Sequence, residues 1–151
     1  MAYTDLAQQT LVENNMLMLL MEGLRNTLAW KVEGTDFARK LSTLRFIMHS
    51  LQRHLERVLA LEEYDGYMDL ALSANPQLGN SVDALRQEHE QFRKEASQIV
   101  HRFEHVSPTD GDSFTRICGE LVALLNRLDG HNKKEISLMQ EVFARDEGGE
   151  G

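Results

Sequence analysis

His131 and Glu135 stand four residues apart in the stretch Leu128 to Leu138, whose apolar residues recur at helical spacing. Positions four apart on a helix share one face. The stripe that carries Leu124, Leu128 and Leu138 therefore also carries an imidazole and a carboxylate. Two further ionisable residues, Glu62 and His89, fall on apolar stripes elsewhere in the chain. Acidic side chains are almost never fully buried unless they are paired or coordinate a cation. Two carboxylates held close together also oppose each other's ionisation unless a cation lies between them. Imidazole combined with carboxylate suits iron, manganese or zinc better than calcium or magnesium, which prefer all-oxygen shells. These four residues point to transition-metal binding.

Four segments of heptad-like periodicity would position them. The first covers residues 4–29, with the stripe Ala7, Thr10, Asn14, Leu17, Met21, Leu24, Leu28. The second covers 36–64, with Thr35 or Asp36 as N-cap, and Phe37, Leu41, Leu44, Met48, Leu51, Leu55, Val58 leading to Glu62. A longer connection follows, in which residues 67–72 are expected to form an extra helical turn. The third segment covers 81–105, capped by Ser81, with the stripe Val82, Leu85, His89, Phe92, Ala96, Ile99, Phe103. The fourth covers 113–145, with Ile117, Leu121, Leu124, Leu128, His131, Glu135, Leu138, Val142.

The reading is an all-α, up-down-up-down four-helix bundle over residues 1–146, with a disordered acidic and glycine-rich tail at 147–151. In that topology Asn14, Glu62, His89, His131 and Glu135 all converge at one end of the core.

The chain has 151 residues, a net charge of −8 and a single cysteine, Cys118. The acidic balance argues against a nucleic-acid partner. The lone cysteine allows no internal disulfide and favours a reducing, cytoplasmic setting. No secretory signal is expected at the start, and the run Met16 to Met21 is too short to span a bilayer.

The blocks Leu61-Glu62-Glu63, Leu85-Arg86-Gln87-Glu88-His89 and His131-x-x-x-Glu135 together resemble hemerythrin-like (HHE cation-binding) domains. The resemblance spans residues 11–143 and implies a four-helix bundle with a non-haem di-iron site. In that family, histidines from the first two helices serve one iron and histidines from the last two serve the other, with two carboxylates bridging. This chain departs at three places. Asn14 or Asn15 stands where the first helix carries His, Val58 stands four residues before Glu62, and Arg93 stands four residues after His89. Carried over residue by residue, one iron loses both nitrogen ligands, while the other keeps His89 and His131 with Glu62 and Glu135.

The expectation is therefore a mononuclear or weakened dinuclear site, most readily for iron, with zinc or manganese allowed. Its roles would be sensing or handling iron, oxygen or nitric oxide rather than reversible dioxygen carriage. Two alternatives stand beside this non-enzymatic reading. In the first, Arg93 pairs with Glu62 or Glu135, and the bundle is a metal-free interaction module in which Leu19, Leu20, Phe46 and Ile47 meet a partner or a second copy. In the second, an open coordination position supports oxidase or peroxidase chemistry. His54 is read as a boundary residue, His49, His101 and His105 as surface residues, and Met16, Met18, Met21 and Met48 as core filler. Glu63 and Glu88 flank the ligand positions and are candidate partners of the imidazoles. Tyr64 and Tyr67 are candidates to line the open end of the bundle.

Overall fold

The computed structural model describes residues 2–32, 37–63 and 66–148. Both prolines lie between long helices, so nothing interrupts the helical periodicities within them. The elements are α1 (Ala2–Leu28), α2 (Ala38–Glu63), a short α3 (Tyr67–Ala74), a 3-10 turn at Pro76–Leu78, α4 (Gly79–His105) and α5 (Gly111–Gly148). The described residues contain no strand. No helix among them is long and apolar enough to cross a membrane.

The four long helices form a bundle in which α1 packs on α2, α2 on α4 and α4 on α5. Arg45, early in α2, donates from Nε to the Phe103 carbonyl late in α4 at 2.5 Å. Arg93 in α4 reaches Glu56 in α2, and Glu62 and Glu63 at the end of α2 reach His89 in α4. Between α4 and α5 the pairs are Arg102 with Glu120, Arg127 with Glu95, and Lys134 with Glu88.

Every stripe residue named for α2, α4 and α5 is buried, as are Thr10, Asn14, Leu17, Met21 and Leu24 of α1. Each fully buried Leu, Met or Phe contributes on the order of 1.5–3 kcal/mol, so these seams dominate the stability of the bundle. The apolar core has two parts. The larger one runs from Phe37 and Phe114, stacked at 4.6 Å, up to Leu55, Val58, Phe92 and Leu128. The smaller one, Met68, Ala71, Val82, Leu85, Leu138, Met139 and Val142, lies beneath α3. His89, His131 and Glu135 fall in sequence between residues of the two clusters, so the polar layer separates them. The helical turn expected at 67–72 is α3, and it covers the end of the bundle beyond that layer.

Several local expectations need correction. Ser81 does not cap α4: the helix begins at Gly79, directly after the 3-10 turn, whose own cap is the Asn75 side chain accepting from the Gln77 amide at 3.1 Å. The cap of α5 is Asp110, which accepts from the Ser113 amide at 3.1 Å and from its hydroxyl at 2.7 Å, so the helix starts earlier than residue 113. Helix α5 also continues through Gly148, into the stretch read as tail, while residues 149–151 lie outside the described ones. Thr35, Asp36 and Tyr64, and the side chain of Tyr67, lie outside the described residues as well.

Met21 and Met48 fill the core, but Met16 and Met18 are exposed. With Leu11, Val12 and Leu19 they form an apolar flank on α1, because α1 packs chiefly against α2 and meets α5 only over a short stretch. Leu19 and Phe46 are 67% and 74% exposed, whereas Leu20 and Ile47 pack against the core.

Candidate metal centre

The last turn of α2, the first half of α4 and the latter half of α5 bring Glu62, His89, His131 and Glu135 together. One ligand atom from each of the four lies within 4.8 Å of the others, and all four residues are buried. The His89 and His131 Nε2 atoms face each other at 3.0 Å. His89 Nε2 also lies 3.2 Å from Glu62 Oε2 and 3.8 Å from Glu135 Oε1, and His131 Nε2 contacts Glu135 Oε1. Phe92 stands edge-on to the His131 ring at 5.0 Å and closes the inner side of the group.

The far nitrogen of each ring is held by a carboxylate. His89 Nδ1 donates to Glu63 Oε1 at 2.9 Å, and His131 Nδ1 donates to Glu88 Oε2. Glu63 is gripped in turn by Arg93, with N–O distances of 3.0 and 2.9 Å, and Glu88 by Lys134 at 2.7 Å. Glu63 and Glu88 were candidates from the sequence because they flank the ligand positions Glu62 and His89. The role of Lys134 was not legible, because it depends on the α4–α5 register.

Electrostatics separates these carboxylates into two kinds. Burial, and then the adjacent Glu135 carboxylate, push Glu62 well above the usual range. Burial also opposes ionisation of Glu135, but hydrogen bonds from His131 and His89 outweigh it and hold its carboxyl below the usual range. Burial opposes ionisation of Glu63 and Glu88 too, and is overcome by Arg93 and His89 in one case and by Lys134 and His131 in the other.

Both Glu62 oxygens are buried and accept no hydrogen bond of ordinary geometry, their nearest polar neighbours being His89 Nε2 at 3.2 Å and the Glu135 carboxyl. A buried polar atom left unpaired costs about 1–3 kcal/mol. Arg93 does not relieve this: its guanidinium pairs with Glu56, Glu63 and Glu90, not with Glu62 or Glu135 as in the metal-free alternative. Two imidazole nitrogens and two carboxylates therefore converge with neither Lys nor Arg among them, and two of their oxygens lack partners. That donor set fits a divalent transition-metal ion.

The other expected participants lie elsewhere. His54 is buried, with Nε2 3.0 Å from the Glu13 carbonyl oxygen and 3.2 Å from Glu13 Oε2, outside the four-residue group. Val58 is apolar core. Asn14 is 4% exposed and neither side-chain polar atom has a partner, whereas Asn15 is exposed. Sequence reasoning missed Asn132, which is buried with an unpaired Nδ2, because it lies one position beside the α5 stripe. His49 is half-exposed and pairs with Glu104 at 2.5 Å, while His101 and His105 are exposed. Burial raises the Cys118 thiol, which packs at the edge of the main core.

No curated protein and no solved structure matches the chain significantly. The family model described as "Hemerythrin HHE cation binding domain" matches residues 7–143, which takes in most of α1 and α5, all of α2 and α4, and every residue of the buried group. The chain belongs to the hemerythrin HHE cation-binding domain family.

Proposed function

We propose that this bundle holds one transition-metal ion, iron first, through Glu62, His89, His131 and Glu135, and that it serves in sensing or handling iron, oxygen or nitric oxide. Iron is favoured by the family, and zinc and manganese are compatible with the donor set. The observation that carries the reading is the convergence of four buried donors with no protein cation among them and two carboxylate oxygens lacking partners. A bound ion supplies a Lewis-acidic centre able to take a small diatomic ligand. The chain's own residues do the rest. The apolar clusters on either side shield the ion from water, and Glu63 and Glu88 orient the rings. The inter-helix pairs support an up-down-up-down order of the long helices, which places the donors at one end of the core.

A single ion is preferred because the positions where the family carries its other nitrogen ligands hold Asn14, apolar Val58 and Arg93, and Arg93 is fully engaged with acidic partners. Elemental analysis of protein expressed in iron- and zinc-supplemented medium tests this, with His131→Ala and Glu62→Gln alongside. The expected result is about one metal per chain, reduced at least tenfold in both variants. Two metals per chain would show that other residues or water replace the missing imidazoles. No metal, with the variants folded like the native chain, would leave the metal-free module as the better account.

A further inference from the structure

We infer that Arg93 and Lys134 are positioning residues, each completing a cation–carboxylate clamp that fixes one ligand histidine in the tautomer that leaves Nε2 free for the ion. The inference rests on the ligand reading above and adds how these particular rings are aimed. It also accounts for a departure from the family, since Arg93 stands where some members carry a further histidine.

Two chains of contacts run outward from the centre. One is His89 Nδ1 to Glu63 Oε1 at 2.9 Å, then Glu63 Oε2 to the Arg93 guanidinium at 3.0 Å. Arg93 is itself tied down by Glu56 at 2.6 Å and Glu90 at 2.6 Å. The other is His131 Nδ1 to Glu88 Oε2, then Glu88 Oε1 to Lys134 Nζ at 2.7 Å. In each chain the carboxylate keeps a proton on Nδ1, and the other nitrogen of the ring turns inward with its lone pair available. The cation holds the carboxylate in place.

The clamps are unequal in a way the structure makes readable. Arg93 is a planar donor shared among three carboxylates and is about one fifth exposed, whereas the Lys134 side chain is 64% exposed. Exposed ion pairs contribute little and are screened by salt. The Glu63–Arg93 clamp is therefore the stronger, and His89 the more firmly held ring. The residue that occupies a ligand position of the family has become the anchor of a remaining ligand.

The test compares native chain, Glu63→Gln, Glu88→Gln, Arg93→Met and Lys134→Met, each by two readouts. The first is the dissociation constant for zinc, taken by chelator competition. The second is the imidazole nitrogen NMR signature of the metal-free protein, which reports the tautomer whether or not any metal binds. Loss of a carboxylate that orients a ligand typically weakens metal binding 10–100-fold.

That range is expected for Glu63→Gln, with a smaller loss for Arg93→Met and the least for Lys134→Met. In the metal-free variants, the Nδ1-protonated signal of His89 should give way to mixed tautomers in Glu63→Gln, and that of His131 in Glu88→Gln. Unfolding midpoints of the metal-free variants serve as the control for a merely structural role. Wild-type zinc affinity together with unchanged nitrogen signals, either in both Gln variants or in both Arg93→Met and Lys134→Met, would overturn the inference. If the native chain binds no zinc, manganese or iron, the ligand reading fails, and the nitrogen signals still decide whether the clamps set the tautomers.

Discussion

Saturating metal is expected to raise the thermal unfolding midpoint of the native chain by roughly 8–16 °C, and Glu62→Leu to abolish that rise while starting from a higher metal-free midpoint. An ion that binds only the folded state, at about a thousand times its dissociation constant, adds about 4 kcal/mol. A domain of this size gains about 2–4 °C per kcal/mol. The second half of the prediction follows from the unpaired oxygens of Glu62. Without a cation they are a cost of about 1–3 kcal/mol, and an apolar side chain between Val58 and the neighbouring core removes it. Replacing buried ionic groups with apolar ones is often neutral or stabilising for the same reason. Melts followed by circular dichroism, with anaerobic ferrous ion and with zinc, check both halves. A Glu62→Leu protein that still gains the full metal increment would remove Glu62 from the ligand set.

Gly66→Ala is expected to lower stability by about 1–3 kcal/mol and to weaken metal binding as well. A Cβ at residue 66 would stand 2.3 Å from the Glu62 carbonyl oxygen and 2.4 Å from that of Leu61. Both are backbone atoms of the last turn of α2, so relief requires that turn to move, and the Glu62 side chain moves with it. Gly130→Ala is the matched control. It lies next to His131 inside α5, a Cβ there meets nothing within 4 Å, and the change should add about 0.5–1 kcal/mol through helix propensity. Urea unfolding of both variants, with zinc titrations, separates the two effects. Equal and unchanged metal affinity in both would show that the end of α2 is free to adjust without disturbing Glu62.

The parts of this fold that could be read from the sequence are those set by a single strong periodicity. The stripes of α2, α4 and α5 were legible to the residue because each helix buries one dominant seam, and polar residues on such seams must be buried too. The four-residue group followed from that, since Glu62, His89, His131 and Glu135 were the ionisable members of those seams.

What was not legible depended on which neighbours each helix has. Met16 and Met18 have core-like spacing but face outward, because α1 leans on α2 and leaves its other flank largely uncovered. Leu125, Asn132 and Met139 form a second buried row on α5 beside the main one. In the metal-free alternative Arg93 pairs with the buried acids Glu62 or Glu135. The acids nearest its guanidinium turned out to be Glu56, Glu63 and Glu90, which only the α2–α4 register could reveal.

All four donors belong to α2, α4 and α5, and α1 contributes none of them. Under the proposed metal reading, opening of α1 would not by itself break a bond to the ion. Fluctuations that lift α1 away would expose its amides to hydrogen exchange without releasing the metal, whereas the other three long helices could open fully only by giving it up. Metal loading should then slow amide exchange in α2, α4 and α5 and leave α1 near its metal-free rate. The chain would behave as a three-helix clasp around its ion, with a fourth helix whose departures the ion does not govern.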